Sequence, residues 1–436
     1  MTTLLYNATV AGVPEGTPAY VFIDGDTIAA TGTGAPPPEM TAQECVDCYG
    51  DLLTPGAIDC HVHTRDPGLT HKGDIASETT AARAGGVTSI LDMPNTVPQT
   101  TTMALVHAKM KRAAEVAKAN YAFFIGAAGT SNFDELAHAD YRIIPGIKLF
   151  MGSSTGNMLV DKDDDLRRIF DLAASMDVII VVHAEDEEII AENRAIISAI
   201  YGNAEVPVRV HCKIRPSEAC LRATERAIAL ARQYGTRLHI AHVSPADEAA
   251  LLSNEPLSPS KRITAEVSPH HLLWCAEEDG DNPRMKMNPA VKTAADREAL
   301  RRAVVDGRID IIATDHAPHL LSEKSGGALH AASGAPMVQY SVPAMLGLFD
   351  PTTVVRLMCH NPAQLYGIQR RGVIAPGMYA DIARIRRVTP YTVHDADVVS
   401  RCAWTPLDGR TLRYRIIDTW LNGSRHGKAM PLEFAR

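Results

Sequence analysis

Val178-Ile179-Ile180-Val181-Val182-His183 is an apolar run closed by an imidazole. A strand with one face in water alternates apolar and polar residues. A continuous run predicts a strand covered on both faces. That environment belongs to parallel sheets flanked by helices, and the neighbouring sequence repeats the plan. Residues 163–175, 185–200 and 217–234 carry helical patterning, and 143–150, 237–243, 263–267 and 309–315 read as strands. Toward the N-terminus, strand-like 87–93 and 121–125 alternate with helical stretches near 74–84 and 103–118. About eight such units predict an α/β fold, a (β/α)₈ TIM barrel over residues 55–371. An open doubly wound sheet fits less well, because no Gly-x-Gly-x-x-Gly turn follows a first strand.

The two ends have another texture. Tyr20-Val21-Phe22-Ile23, the turn Asp24-Gly25-Asp26 and Thr27-Ile28-Ala29 suggest short strands before residue 55. After Gly372, the stretches 377–385 and 414–420 read as strands, and Asn422-Gly423 is a hairpin signal. Residues 1–54 and 372–436 are therefore expected to pack together as one small β domain. The loop 316–336, with Ser325-Gly326-Gly327 and Gly334-Ala335-Pro336, follows an acidic strand end and is expected to act as a mobile lid.

Composition narrows the class. The 436 residues are 46% hydrophobic and 22% charged, the balance of a globular protein. A net charge of −8 argues against a nucleic-acid surface. No apolar run reaches the roughly 20 residues of a membrane span, and Met1-Thr2-Thr3-Leu4-Leu5-Tyr6 lacks a signal-peptide pattern. Cys45 and Cys48 form a lone Cys-x-x-Cys pair with no second pair to complete a zinc site, so all eight cysteines are expected to be reduced thiols in a cytoplasmic protein.

The chemistry gathers at strand ends. His61 and His63 follow an apolar run and stand two apart, which puts both rings on one face of a strand. Lys148, His183, His242 and Asp315 lie in or at the ends of four later strands. In a barrel those ends converge on one rim. A single histidine there is ordinarily a satisfied core residue. Four imidazoles and a carboxylate together are hard to explain by packing, since buried ionisable groups cost free energy unless paired or metal-bound, and they suit zinc or a similar divalent ion. An ammonium is no metal ligand, so Lys148 either forms a salt bridge or carries CO₂ as a carbamate that bridges two ions. Two such ions generate hydroxide at neutral pH and polarise a carbonyl. Asp315 then takes the proton and passes it to the leaving nitrogen.

His61-Val62-His63-Thr64-Arg65-Asp66-Pro67-Gly68, Asp92-Met93-Pro94-Asn95-Thr96 and Ala313-Thr314-Asp315-His316-Ala317-Pro318-His319 resemble the amidohydrolase superfamily and, within it, the lysine-containing dihydroorotases of class I type. The resemblance spans nearly the whole chain. It implies a metal-dependent barrel with a small β-sandwich built from both termini. The implied reaction is reversible hydrolysis of the cyclic amide of L-dihydroorotate to N-carbamoyl-L-aspartate, a step of pyrimidine (UMP) synthesis, with a metal-bridging hydroxide as nucleophile. It assigns His61, His63, Lys148, His183, His242 and Asp315 as ligands of two Zn²⁺ bridged by carbamylated Lys148. Arg65 stays on the metal side of the strand and offers a guanidinium fork to the substrate carboxylate. Asn95 and His319 can add donors, and Asn288, Ala335 and Pro336 match family substrate contacts. Two departures stand out. Some longer dihydroorotases bridge the metals with an aspartate where this chain has Lys148. Gly334–Tyr340 also differs from the commoner glycine-and-glutamate pattern.

The resemblance further implies a homodimer and leaves room for association with aspartate transcarbamoylase. Two rival readings remain. One is an allantoinase, hydantoinase or dihydropyrimidinase, whose ring carries no carboxylate. The other is a non-catalytic dihydroorotase-like scaffold, which would have lost ligands that this sequence keeps.

Overall fold

The computed structural model describes residues 1–14, 16–152 and 158–435. Glu15 and Arg436, in the stretches expected for the terminal domain, and residues 153–157, in the expected barrel, lie outside the described residues.

The barrel strands are β6 (Ala57–Val62), β7 (Val87–Asp92), β8 (Asn120–Phe123), β9 (Ile125–Gly126), β10 (Ile147–Phe150), β11 (Ile179–His183), β12 (Arg237–Ile240), β13 (Ile263–Val267) and β14 (Ile311–Ile312). They follow β1 (Thr2–Val10), β2 (Ala19–Asp24), β3 (Thr27–Thr33), β4 (Glu44–Asp47) and β5 (Leu52–Pro55) of the N-terminal segment. All five residues of β11 are buried, and it pairs in parallel with β10 and β12. The remaining barrel pairings are parallel too, in the runs β6-β7-β8 and β9-β10-β11-β12-β13-β14. Between β8 and β9 the strand is interrupted only at Phe124. The circle closes where Val62 bridges His316 and His63 N–H donates to the His316 carbonyl at 2.8 Å. The result is a (β/α)₈ barrel.

Packing follows from which face each residue takes. Ile58, Cys60, Leu91, Met93, Ala122, Phe124, Val181, Ala241 and Ile311 fill the interior. Leu432 and Phe434 pack against this cluster, and Leu432 N–H donates to the Tyr121 carbonyl at 2.9 Å. Residues 432–434 thus plug the N-terminal mouth. A larger cluster lies between the strands and the outer helices, where Leu166, Ile169, Phe170 and Ala173 of helix Asp163–Ser175 are buried.

Barrel strand lengths depart from the sequence reading chiefly in three places, and outside the barrel the strand read at 377–385 begins only at Ile382. The ladder at 309–315 contains only Ile311–Ile312, and the strand at 237–243 ends at Ile240. Beyond each ladder lies a residue with positive φ, Asp315 (49°) or His242 (38°), which breaks the regular strand conformation while single hydrogen bonds to the neighbouring strands continue at His316 and Val243. The strand expected at 143–150 starts at Ile147, after Pro145, which has no N–H for a ladder.

Strands β15 (Ile382–Thr392) and β16 (Thr411–Trp420) return to the N-terminal segment. Together with β1–β5 they form a seven-stranded sheet ordered β16-β15-β5-β1-β2-β3, with β4 on β1. Leu5, Val21, Ile23, Leu53, Ile382 and Trp420 supply a separate core for this β-rich unit. The Asn422-Gly423 turn forms, with both residues at positive φ and Leu421 paired to Ser424. A Cβ on Gly423 would meet the Gly25 carbonyl oxygen at 2.0 Å, so no other residue fits there. All eight cysteines are free. Among the described residues no helix is long and apolar enough to cross a membrane.

The connection 393–410 does not stay with the sheet. Arg284 pairs with Asp395 at 2.6 Å across the gap, and Trp404 Nε1 donates to the His319 carbonyl at 2.7 Å. Trp404 is completely buried. Trp404→Ala is expected to cost about 3–5 kcal/mol. Trp404→Phe keeps the packing, loses the N–H bond and should cost about 1 kcal/mol. Urea unfolding of the two variants checks this, and equal losses would show that the hydrogen bond rather than the packing dominates.

Candidate active site

His61 is the penultimate residue of β6, with its Nδ1 2.5 Å from Glu266 Oε1. Glu266 is buried in β13, and its other oxygen lies 3.2 Å from His239 Nε2. Burial alone would raise this carboxyl. His61 and His239 outweigh it and hold Glu266 well below the usual carboxylate range. A carboxylate only accepts, so the proton of His61 sits on Nδ1 and the Nε2 lone pair is exposed. That lone pair faces Asp315 Oδ1 at 3.4 Å. His63 repeats the arrangement, with Nδ1 on Asn95 Oδ1 at 2.7 Å and Nε2 3.0 Å from the same Asp315 oxygen. Burial pushes the His63 imidazole down to about 4, so it is neutral at pH 7. Two lone pairs therefore converge on one carboxylate oxygen, a repulsive arrangement that a cation would relieve.

The ligand atoms of His61, His63 and Asp315 lie within 4.8 Å of one another, the spacing of a group that could hold a metal ion. His183 and His242 adjoin them. The rings of His61 and His242 are 5.3 Å apart, and His183 Nδ1 lies 2.9 Å from His242 Nε2. His183 Nε2 donates to Glu185 at 2.9 Å, and Glu185 in turn pairs with Arg215. Burial opposes ionisation of Glu185, but Arg215 and His183 bring it down to about 2. This leaves Nδ1 of His183 as its lone-pair side. His242 Nδ1 has no partner among the described residues.

Lys148 is wholly buried, and its Nζ has no hydrogen-bond partner among the described residues. Burial lowers its pKa to about 8, against the pull of Glu266 and Asp315. The same electrostatic neighbourhood contains His183 and His242, on which Lys148 acts. The donor set fits a divalent ion: neutral imidazoles with fixed tautomers, a carboxylate and an unsatisfied lysine.

Three of these positions are strained. Arg65 (φ 68°), His242 (38°) and Asp315 (49°) occupy the left-handed region without being glycine. Such conformations cost about 1–2 kcal/mol each and concentrate where function over-determines geometry. Asp315 is the most open of the six candidate ligands, at 13% side-chain exposure, so the cluster is reached from its side.

The candidate substrate residues divide. Arg65 and His319 meet, Nη2 to Nε2 at 3.1 Å. Asn95 turns its Oδ1 to His63. Ala335 lies beside the metal-side rim, bridged to His316, and its carbonyl accepts from Ala317 N–H at 3.0 Å. Pro336 follows it and is buried. Asn288 Oδ1 meets His211 Nε2 at 3.0 Å and makes no hydrogen bond to the candidate ligands. The expected lid 316–336 is tied down. Lys324, buried in it, donates to the carbonyls of Lys286, Ala332 and Gly334, each at 2.8 Å.

Sequence reading missed the groups behind the ligands: Glu266, His239, Glu185 and the Glu78–His316 contact of 2.7 Å, which Ser400 joins. For Glu266 a signal existed, a lone acid in the strand Ile263-Thr264-Ala265-Glu266-Val267.

The profile of the Amidohydrolase family matches residues 52–423. The chain belongs to the amidohydrolase family. It is 33% identical to a dihydroorotase of Halobacterium salinarum over 411 residues, 92% of this chain and 91% of that protein. It is 32% identical to an allantoinase of Streptomyces avermitilis over 435 residues, 97% of this chain and 95% of that protein. Among solved structures it superposes on an L-hydantoinase (dihydropyrimidinase) from Arthrobacter aurescens with a TM-score of 0.90, at 27% identity, covering 100% of this chain and 97% of that one. As an amidohydrolase the protein is an enzyme that hydrolyses amide bonds, and its buried His/His/Asp group is suited to the metal dependence general in that family.

Outside the candidate ligands, this amidohydrolase buries His211, His270 and His271 as neutral rings, with pKa values lowered by burial to about 3, 3 and 4. Unfolded histidine titrates near 6.5. Below that pH the unfolded chain binds protons that the folded one refuses. Stability is therefore full above about pH 6.5 and is lost as pH falls, by about 1.4 kcal/mol per unit per histidine until the folded value is reached. His270→Phe, which retains the stack on Trp274, should flatten that slope by one proton. Urea midpoints between about pH 7.5 and pH 5 measure it, and an unchanged slope would refute the assignment.

Proposed function

We propose that this amidohydrolase is a dihydroorotase, a cytoplasmic enzyme that reversibly hydrolyses the cyclic amide of L-dihydroorotate to N-carbamoyl-L-aspartate in pyrimidine synthesis. The observation that carries the reading is Arg65. Its guanidinium is 1% exposed, Nε is anchored on the Pro318 carbonyl at 3.0 Å, and Nη1 has no partner among the described residues. No carboxylate of the described residues lies within ion-pairing distance of it. Asp315, Asp92, Glu323 and Glu78 pull on it only from beyond that distance; a buried cation without a bonded counter-ion is costly, and an incoming carboxylate relieves that cost through a bidentate fork. The predominance of relatives named dihydroorotase supports the same reading.

His61, His63, Lys148 as its carbamate, His183, His242 and Asp315 would hold two zinc ions. When bound, these supply Lewis acidity to the scissile carbonyl and acidify the attacking water at neutral pH. The remaining work falls to the chain. Arg65 binds the ring carboxylate and fixes the ring's orientation. His319, Asn95, Asn288 and the backbone of Ala335 and Pro336 line the substrate. Asp315 accepts the proton of the attacking water at its carboxylate and returns it to the leaving ring nitrogen. The buried Nζ of Lys148, with no competing hydrogen bond, supports carbamate formation.

The allantoinase relative and the hydantoinase-like structure favour a second reading, an amidohydrolase of uncharged rings. Steady-state rates on L-dihydroorotate, allantoin and dihydrouracil, with zinc measured on the same sample, separate the two. Dihydroorotate should be strongly preferred, and preference for an uncharged ring would overturn the assignment. Arg65→Met should raise KM for dihydroorotate at least about tenfold, the loss of a charge-assisted hydrogen bond, and leave the uncharged rings little affected.

Lys148→Ala should abolish activity and recover part of it with a short added carboxylic acid. Unchanged activity and zinc content in that variant would remove the carbamate from the mechanism.

A further inference from the structure

His319 is caught between two cations. Lys72 Nζ lies 3.1 Å from its Nδ1, and Arg65 Nη2 lies 3.1 Å from its Nε2. Neither cation can accept a hydrogen bond, and a neutral imidazole has one lone pair. Only one of the two contacts can be a bond. Double protonation does not resolve the conflict. The ring is 2% exposed, and burial, reinforced by Arg65, Lys72 and Lys324, holds its pKa far below the ordinary value.

Ser333 decides between the tautomers. Its carbonyl lies 3.0 Å from Nε2 and can only accept. With the proton on Nε2, the ring donates to Ser333 and accepts from Lys72. With the proton on Nδ1, the ring accepts from Arg65, while Ser333 loses its donor and Lys72 faces an N–H. Two hydrogen bonds oppose one. Lys72 is itself held by Glu323 at 2.7 Å, and Glu323 also accepts from Leu320 N–H at 2.8 Å. That carboxylate stands 3.8 Å from Nδ1, beyond bonding range.

We propose that Lys72 is a positioning residue that fixes His319 as its Nε2–H tautomer and so keeps the terminal edge of Arg65 open for the carboxylate of an anionic cyclic substrate. This rests on the reading of Arg65 given above. With Nε2 protonated, Arg65 Nη2 meets a group that cannot accept. Nη1 already lacks a partner, so both terminal nitrogens remain for a fork-shaped anion. Without Lys72, Arg65 would bond to Nε2 and one arm of the fork would be spent inside the protein.

The test is ¹⁵N NMR of histidine-labelled protein, with His319 assigned by its loss in His319→Gln. The wild type should show the Nε2–H pattern, and Lys72→Met should shift His319 toward Nδ1–H. In the same variant KM for dihydroorotate should rise about tenfold with kcat nearly constant, while KM for dihydrouracil stays the same. Lys72→Arg should restore both readouts in part. Lys72→Leu, which likewise removes the donor, serves if Lys72→Met does not fold. An Nδ1–H wild type, or a Lys72→Met protein with unchanged tautomer, would overturn the proposal. A tautomer shift with unchanged KM would overturn its link to the ligand. The tautomer is read without turnover, so it stays decisive even if dihydroorotate is not the substrate.

Discussion

Two imidazole lone pairs aimed at one carboxylate oxygen set the terms for the whole barrel rim. Glu266 accepts from the Nδ1–H of His61 and Asn95 from that of His63, so neither ring turns a proton toward Asp315. That arrangement suits a cation, and the His61, His63 and Asp315 ligand atoms are close enough together to hold one. Behind it, Glu266 joins His61 to His239, and Glu185 joins His183 to Arg215. These carboxylates lie wholly inside the protein, where an unpaired charge is costly. They fix ring orientation and tautomer at the same time.

The rim exists because the strands end where they do. Phe150 pairs with His183 and Val182 with Ile240, so residues just past each strand stand level with one another. Left-handed backbone at His242 and Asp315 then turns each side chain away from its ladder. The polar rim adjoins an apolar interior that contains Phe124, Val181 and Ile311, with Val181 level with Lys148.

Much of this was legible in the sequence, for a physical reason. His61, Lys148, His183 and Asp315 are charged or titratable residues in or at the close of apolar runs, where packing alone would not place them. The period of those runs also carried the fold class. The early ends of β12 and β14 were not legible, since apolar residues continue past both ladders and the positive φ of His242 and Asp315 leaves no trace in composition. Nor was Lys324, which stands in a glycine-rich loop that reads as mobile yet is tied to three carbonyls. Glu78 shows the limit most plainly. It looks like an ordinary helix-face acid, and its partners His316 and Ser400 lie 238 and 322 positions away.

That distance has a consequence for how the enzyme comes to life on the ribosome. Every candidate ligand precedes residue 316, so a nascent chain that has emerged to that point already carries the ligand set. Ser400, which braces Glu78 against His316, and Trp404, which holds the His319 carbonyl, have yet to be made. Leu432 and Phe434, which stopper the far mouth, come later still. Contacts of such long range form slowly and late. Competence therefore waits until residue 434 has been made, after the candidate ligands themselves have been exposed to the cell.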